Sequence, residues 1–152
     1  MTKVCTVSKE ETQALAKLLL EELGKQVAKL GQATVVGLRG DLGAGKTTLA
    51  QGIAAELGVV EHVTSPTFIL ERIYKLSGEN AKLGNWERLV HIDAYRLDDE
   101  KELKHLGWQE LLSDPANLIL IEWPERIEAG MPANTMYVDC RHIDELRREI
   151  SW

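Results

Sequence analysis

Residues 40–48 read Gly40-Asp41-Leu42-Gly43-Ala44-Gly45-Lys46-Thr47-Thr48, and the first eight match the pattern G-x-x-x-x-G-K-[ST] in full. A β-forming run from Thr34 to Leu38 precedes this stretch, and a helical segment from Lys46 to Leu57 follows it. A strand, a glycine-rich loop and a helix in this order are the context in which the pattern binds phosphate. The sequence therefore predicts a nucleoside triphosphate site in this loop.

The residue types of the loop suit phosphate binding. Gly40, Gly43 and Gly45 have no side chain and tolerate positive φ, so phosphate oxygens can approach the backbone closely. Successive N–H groups then converge on the anion, and the positive end of the next helix dipole adds to the attraction. We expect Lys46 to contact the β- and γ-phosphates and the Thr47 hydroxyl to ligate Mg²⁺.

Two acidic residues each follow a β-forming run further along the chain, Asp93 after Leu89–Ile92 and Glu122 after Leu118–Ile121. An acid at the carboxyl end of a strand opens onto the crevice where open α/β sheets bind ligands, and Mg²⁺ needs a carboxylate besides phosphate and water. We assign Glu122 to Mg²⁺ and Asp93 to the attacking water; the swapped assignment is the alternative. His91 faces the same side of its strand as Asp93, where we expect a hydrogen-bonded core histidine rather than a metal ligand.

Two further groups of residues are candidates for the site. Ser65-Pro66-Thr67 offers two hydroxyls on a stiffened turn that could reach the γ-phosphate or its metal as a switch segment does, the alternative being a plain turn. Trp123 beside Glu122 and Tyr95-Arg96 after Asp93 are candidates for contact with nucleotide, tRNA or a partner protein. We expect Trp86, Trp108 and Trp152 to pack in the core or to lie in exposed loops.

The rest of the chain alternates between helical and β-forming segments. Ser8 and Glu11 predict a capped helix that ends at Gly31. Its apolar face is predicted to consist of Ala14, Leu15, Leu18, Leu19, Leu23, Val27 and Leu30. Asp98 or Asp99 is expected to cap a short helix through Leu106 that continues from Trp108 to Leu112.

The β-forming runs predict the sheet. Runs from Thr67 to Leu76 and from Leu89 to Tyr95, joined by the loop 77–88, predict antiparallel neighbours. The apolar run Leu118–Ile121 is typical of a strand buried on both faces, and the run from Thr135 to Cys140 predicts the last strand, followed by a charged tail. We therefore predict an α/β fold over residues 1–152, a single P-loop NTPase-like domain with a mixed β-sheet flanked by helices.

Composition excludes several classes of protein. The chain has 152 residues, of which 44% are hydrophobic and 28% charged, as in soluble globular proteins. No apolar run approaches the roughly 18 residues of a membrane span, and the N-terminal residues do not resemble a secretory signal. Two cysteines are too few for a disulfide scaffold, so we expect buried or half-buried free thiols and a cytoplasmic protein. A formal charge of −6 argues against a stand-alone binder of duplex nucleic acid.

Four motifs follow one another along the chain. They are residues 40–48, Thr64-Ser65-Pro66-Thr67-Phe68, His91-Ile92-Asp93-Ala94-Tyr95-Arg96-Leu97 and Ile121-Glu122-Trp123-Pro124-Glu125-Arg126. The phosphate loop by itself is common to very many NTPases, but its combination with an S-P-T, a D-x-Y-R-L and an E-W-P motif is specific. Together the four motifs resemble one family, TsaE, the small bacterial ATPases of tRNA threonylcarbamoyladenosine biosynthesis.

The resemblance implies both a function and a set of site residues. It implies an ATPase that works with TsaD and TsaB, which modify the adenosine beside the anticodon in tRNAs reading ANN codons, and that resets the complex between turnovers; tRNA would be met only within that complex. It also implies that residues 43–48 bind the phosphates, that Thr47 and Glu122 bind Mg²⁺, and that Asp93 is a functional acid. Residues 65–67 would lie in a switch-like loop, and Thr12 would lie near the nucleotide base.

Other functions remain as alternatives. A GTPase is disfavoured because no Asn precedes a Lys, so the guanine-reading N-K-x-D segment is missing. A small-molecule kinase would need an Arg-rich lid, and the longest predicted loop, 77–88, holds one Arg. A nucleotide-gated scaffold, in which ATP binding matters and hydrolysis is incidental, is the third alternative.

Overall fold

A computed structural model describes residues 1–27, 31–64 and 71–152 of the chain. Seven strands form one sheet: β1 Lys3–Thr6, β2 Thr34–Arg39, β3 Glu71–Lys75, β4 Arg88–Asp93, β5 Asn117–Glu122, β6 Met136–His142 and β7 Arg148–Ser151. Three α-helices are present in these ranges, α1 Lys9–Val27, α2 Lys46–Glu56 and α3 Trp108–Ser113. Three 3₁₀ helices span Glu79–Leu83, Glu100–Leu106 and Pro124–Gly130.

The strands are ordered β1-β7-β6-β2-β5-β4-β3 across the sheet. The four central strands β6, β2, β5 and β4 run parallel, whereas β3 and β7 are antiparallel to their neighbours and β1 is antiparallel to β7. The predicted mixed sheet is therefore confirmed, as is the antiparallel pairing of β3 with β4. The first part of the predicted β3 run, residues 67–70, lies outside the described residues.

Two apolar layers cover the faces of the sheet. One layer packs α1, α2 and the 3₁₀ segment Glu79–Leu83 against one face. The other packs α3 and the 3₁₀ segments Glu100–Leu106 and Pro124–Gly130 against the opposite face. The apolar run of β5 is buried at every residue, as expected for a strand between two parallel neighbours. Because parallel strands end at the same edge, the two layers leave the carboxyl ends of β2, β4 and β5 beside one another.

Helix α1 begins as the sequence predicts. The Ser8 hydroxyl accepts from the Glu11 N–H, and the Glu11 carboxylate accepts from the Val7 N–H, a variant of the capping box in which the acid reaches one residue further back. The prediction of the apolar face was partly wrong. Leu15, Leu19 and Leu23 are buried with Ala16 and Leu20, but Ala14 and Leu18 are exposed. Burial therefore follows a stripe rotated slightly from the predicted one, and Leu30 lies outside the described residues.

Strands β1 and β7, at one side of the sheet, were missed, so the prediction that the last strand is followed by a charged tail is wrong. Each strand has four residues with one strongly apolar position, Val4 or Ile150, which is too little alternation to stand out in the sequence. The two strands pair with each other, Val4 opposite Ile150, and β7 extends the sheet beyond β6. Their structure depends on that mutual pairing rather than on local propensity.

Cysteines and tryptophans largely follow expectation. The Cys140 thiol is buried, and burial raises its pKa to about 12, whereas Cys5 is exposed, contrary to the prediction. Trp86 and Trp108 are buried, and Trp86 Nε1 donates to the Thr34 hydroxyl at 3.0 Å. Within the described ranges, no helix has both the length and the apolarity that crossing a membrane requires.

Candidate functional site

The glycine-rich loop connects β2 to α2 and contains all three predicted positive-φ glycines. Gly40, Gly43 and Gly45 have φ of +146°, +78° and +103°, a region that L side chains disfavour. A Cβ on Gly40 would lie 2.2 Å from the carbonyl oxygen of Cys140, so this glycine also allows β6 to approach the loop. Gly45 is the N-cap of α2, and a glycine has no side chain to cap the first N–H groups of the helix. Those N–H groups suit an anion.

A cavity of about 600 Å³ opens in front of this loop. It brings together most of the residues that the sequence singled out: Thr12, Leu42, Gly43, Gly45, Lys46, Thr47, Thr48, Asp93, Glu122, Tyr95 and Trp123. Gly40 and Asp41 instead line a separate cavity of about 380 Å³ behind the loop, and Ala44 is buried beneath it. The predicted switch residues Ser65, Pro66 and Thr67 lie outside the described residues.

Lys46 is held inside the cavity by two partners. Its side chain is buried, its Nζ donates to the carbonyl oxygen of Gly40, and the same Nζ lies 3.4 Å from the centroid of the Trp123 ring. Loss of contact with water lowers the pKa of the Lys46 ammonium group, while the nearby carboxylates of Glu122 and Glu125 partly oppose that shift. Neither the Gly40 carbonyl nor the Trp123 ring carries a negative charge. A bound phosphate would supply one to this buried ammonium group.

The two predicted acids lie side by side on neighbouring parallel strands. Asp93 ends β4, Glu122 ends β5, and the strand register places them directly opposite each other. Adjacent strands are about 4.8 Å apart, so both carboxylates occupy one small region of the cavity wall. Both are almost completely buried, at 5% and 3% exposed, and Asp93 Oδ1 accepts from the Tyr95 N–H at 3.0 Å. Folding thus brings together two carboxylates that are 29 residues apart in the chain.

His91 is a hydrogen-bonded core residue, as predicted. It is fully buried on β4, and its Nε2 lies 2.8 Å from Oε2 of Glu122. Among the described residues, no three His, Cys, Asp or Glu side chains are grouped so that they could hold a metal ion by themselves. The oxygen atoms of Thr47 and Glu122, which line the same cavity, are the donor type that Mg²⁺ takes when phosphates and water complete its coordination. The donor set therefore fits Mg²⁺ bound together with a nucleotide.

Aromatic side chains line the cavity beside the acids. Trp123 follows Glu122 in a left-handed conformation with φ of +61°, which turns the chain sharply at the end of β5. Its ring lies 5.1 Å from that of Tyr95, and the guanidinium of Arg126 lies 5.2 Å from the Tyr95 ring. Trp123 and Tyr95 therefore belong to the cavity wall, as their positions after the two acids suggested.

Thr12 also reaches the cavity, from the first turns of α1. It is buried at 2% exposed, and its hydroxyl lies 2.7 Å from the Thr6 hydroxyl and donates to the Ser8 carbonyl at 3.3 Å. These bonds fix the junction of β1 with α1 against the site. Its nearness to a nucleotide base stays a prediction.

The sequence interpretation missed the turn between β6 and β7 and the first residue of β7, which also belong to the site. Arg148 Nε donates to the Gly43 carbonyl at 2.9 Å, and Nη1 donates to the carbonyl oxygens of Asp144 and Arg147 at 2.7 and 3.0 Å. Glu145 and Leu146 of this turn line the cavity as well. Asp144 accepts from the N–H groups of Leu146 and Arg147, and this Asp-initiated turn was the available signal for a hairpin.

Comparison with known proteins agrees with this architecture. The profile of a protein family described as "Threonylcarbamoyl adenosine biosynthesis protein TsaE" matches residues 6–150. Two similar proteins, each called tRNA threonylcarbamoyladenosine biosynthesis protein TsaE, come from Streptomyces coelicolor and Bacillus subtilis. The first is 44% identical over 108 residues, covering 70% of this chain and 68% of the relative. The second is 36% identical over 147 residues, covering 97% and 82%.

A solved structure is similar over nearly the whole chain. The crystal structure of Bacillus subtilis YdiB superposes with a TM-score of 0.71 at 31% sequence identity, covering 98% of this chain and 82% of that one. This agreement in fold, together with the strand–loop–helix unit that carries residues 40–46, confirms the predicted P-loop NTPase-like architecture.

Proposed function

The chain belongs to the TsaE family, and from that premise we propose that it is a Mg²⁺-dependent ATPase serving tRNA threonylcarbamoyladenosine biosynthesis. The observation that carries the proposal is one cavity lined by the phosphate loop on one side and by Asp93 and Glu122 on the other. A phosphate loop provides binding of a nucleoside triphosphate, and two strand-end carboxylates add what hydrolysis needs, a place for the metal and a place for water.

The binding roles follow from the geometry of the loop. The backbone N–H groups of residues 40–48 and the start of α2 receive the phosphates, and Lys46 exchanges the Gly40 carbonyl for a phosphate oxygen. Thr47 and Glu122 would hold Mg²⁺, which would supply positive charge to neutralise the β- and γ-phosphates. Thr12 lines the same cavity, close to Gly45 of the loop, and we assign it to the side of the nucleotide base.

Asp93 acts on the attacking water. Its carboxylate orients the water and accepts its proton while the oxygen bonds to the γ-phosphorus, and the bond from that phosphorus to the β-phosphate oxygen breaks. The products are ADP and inorganic phosphate, and the proton leaves Asp93 for solvent. Burial of Asp93 at the cavity wall supports this role because it limits the directions from which water can reach the carboxylate.

Partner proteins complete the proposal. Three apolar side chains line the cavity and yet are largely exposed, Leu42 at 78%, Leu146 at 72% and Val7 at 50%. Exposed apolar groups around a nucleotide site suit a surface that another protein covers. We assign that role to TsaD and TsaB, with ATP hydrolysis resetting their complex between turnovers in the cytoplasm. The net charge of −6 fits a protein that meets tRNA only within this complex.

The test is ATP hydrolysis by the purified protein, alone and with TsaD and TsaB, with Mg²⁺ and with EDTA. We expect weak Mg²⁺-dependent hydrolysis that the partners stimulate strongly. Phosphate transfer to an added metabolite would instead identify a small-molecule kinase. If nucleotide binding without turnover supported the partners fully, the protein would be a nucleotide-gated scaffold.

A further inference from the structure

We propose that His91 is a positioning residue for the metal site: it fixes the carboxylate of Glu122 in one orientation. The inference rests on the proposed function, since it assumes that Glu122 is the Mg²⁺ ligand. It assigns to His91 a role that neither its sequence position nor its burial in the core would require.

Strand geometry gives the first argument. His91 and Asp93 are two residues apart on β4 and therefore share one face, and Asp93 is paired with Glu122 of β5. The His91 ring lies one residue pair deeper, under the two acids, and its Nε2 reaches forward to Glu122 Oε2 at 2.8 Å. Both side chains are shielded from solvent, at 0% and 3% exposed, so water does not compete for this hydrogen bond.

The other ring nitrogen decides which atom carries the proton. His91 Nδ1 is buried and has no hydrogen-bond partner among residues 1–27, 31–64 and 71–152. A tautomer protonated at Nδ1 would bury an unsatisfied donor and would turn the Nε2 lone pair toward the carboxylate. The tautomer protonated at Nε2 donates to Glu122 and leaves only an unused acceptor, which costs less. His91 therefore acts as a fixed N–H donor.

A fixed donor on one oxygen determines what the other oxygen can do. With Oε2 bound to His91, rotation of the Glu122 carboxylate would break a buried hydrogen bond, so Oε1 remains available to the cavity in a constant direction. Supporting hydrogen bonds of this kind typically change metal affinity by about 10- to 100-fold when they are removed. A histidine that served only to fill the core would have no such effect on a metal.

The experiment separates these two roles with matched variants. His91→Leu removes the donor and fills the core, whereas His91→Gln keeps an N–H near the position of Nε2. ATP affinity is measured in EDTA, and the Mg²⁺ concentration for half-maximal tightening of ATP binding is measured in a Mg²⁺ titration. Binding of Mn²⁺ with a non-hydrolysable ATP analogue, followed by electron paramagnetic resonance, provides a readout independent of turnover.

We expect His91→Leu to bind ATP in EDTA as the wild type does and to need roughly 10-fold more Mg²⁺ or Mn²⁺. We expect His91→Gln to recover most of that loss. Equal metal requirements for wild type and His91→Leu would overturn the inference. If His91→Leu does not fold, His91→Asn replaces it in the comparison. The Asn amide is too short to reach Glu122, so we expect His91→Asn to need a higher metal concentration than His91→Gln, and equal concentrations would overturn the inference.

The wild-type protein provides the separate check on the proposed function. If Mg²⁺ does not tighten ATP binding to the wild type, the proposed metal site itself fails, whatever the variants show. If Mg²⁺ tightens binding to the wild type and to His91→Leu at the same concentration, only the positioning role fails.

Discussion

The ammonium group of Lys46 lies 3.4 Å from the centroid of the Trp123 ring, and this contact joins the phosphate loop to the residue that follows Glu122. A cation over an aromatic face in a dry environment is stabilised by about 2 kcal/mol or more. The same ammonium group donates to the Gly40 carbonyl. Lys46 must leave one or both partners to reach a phosphate, so nucleotide binding changes the surroundings of Trp123.

Trp123 emission should therefore report on nucleotide. We expect a change in tryptophan fluorescence on addition of Mg-ATP, because Lys46 moves relative to the Trp123 ring. The chain has four tryptophans, and Trp123→Phe serves as the control because it retains an aromatic face for Lys46 while removing the signal. A signal that is flat in the wild type, or unchanged in Trp123→Phe, would contradict the placement of Trp123 beside the bound nucleotide.

Lys46→Met should abolish tight ATP binding. The substitution removes the cation that we expect to contact the phosphates and keeps an unbranched side chain at the same position. Calorimetric titration measures the loss, and unchanged ATP affinity would contradict this placement of Lys46. Lys17→Met, at an exposed position of α1, should leave ATP affinity unchanged.

The stability difference between wild type and Lys46→Met should depend on pH. The pKa of Lys46 is lower in the folded protein than its usual 10.5, so the folded state releases this proton at a lower pH than the unfolded state does. Across the window between the two values the unfolded state binds more protons, and the stability of the wild type rises with pH relative to the variant. A constant difference from pH 7 to pH 10.5 would argue against a buried ammonium group.

Asp93→Asn and Glu122→Gln should separate the roles of the two acids. Asn keeps an oxygen for the Tyr95 N–H but cannot accept the proton of water, so ATP affinity should stay within about threefold while turnover falls by about 100-fold or more. Glu122→Gln should instead remove the Mg²⁺ dependence of ATP binding. Parallel measurements of ATP affinity, with and without Mg²⁺, and of partner-stimulated hydrolysis test the pair. The reverse pattern would show that the roles are exchanged.

Arg148→Ala should weaken nucleotide binding although Arg148 lies outside all of the recognised motifs. Its Nε–H to the Gly43 carbonyl is a charge-assisted bond that holds the loop conformation, and we expect a loss of about 1 kcal/mol, or roughly fivefold in ATP affinity. Arg147→Ala is the matched control, because that side chain pairs with Asp144 in the same turn. Equal effects of the two variants on ATP affinity would indicate that the turn matters only through overall charge.

The two thiols should differ sharply in reactivity. At pH 8 we expect a maleimide to label Cys5, which is exposed, and to spare Cys140, whose burial raises its pKa to about 12. Between its usual pKa of 9.0 and about 12, the unfolded state releases a proton that the folded state retains, so Cys140 makes stability fall as pH rises. Mass spectrometry of Cys5→Ser before and after denaturation checks the assignment. Rapid labelling of that variant when folded would contradict it.

The sequence by itself determined the parts of the protein whose physics is local. Three glycines, Lys46 and Thr47 specify a phosphate loop because backbone conformation, charge and hydroxyl lie within eight residues of one another. The apolar run before Glu122 specifies a buried strand with an acid at its end. The structure shows this strand and the positive-φ glycines of the loop. The switch role of residues 65–67 is equally local in origin and stays a prediction.

Only the tertiary structure decided which distant groups meet. Arg148 reaches Gly43 across 105 residues, and His91 reaches Glu122 across 31. Strands β1 and β7 have too few apolar residues to be recognised alone and are stabilised by pairing, β1 with β7 and β7 also with β6. Such contacts depend on sheet order and register, which arise when the whole chain buries its apolar faces, and no short window of sequence contains that information.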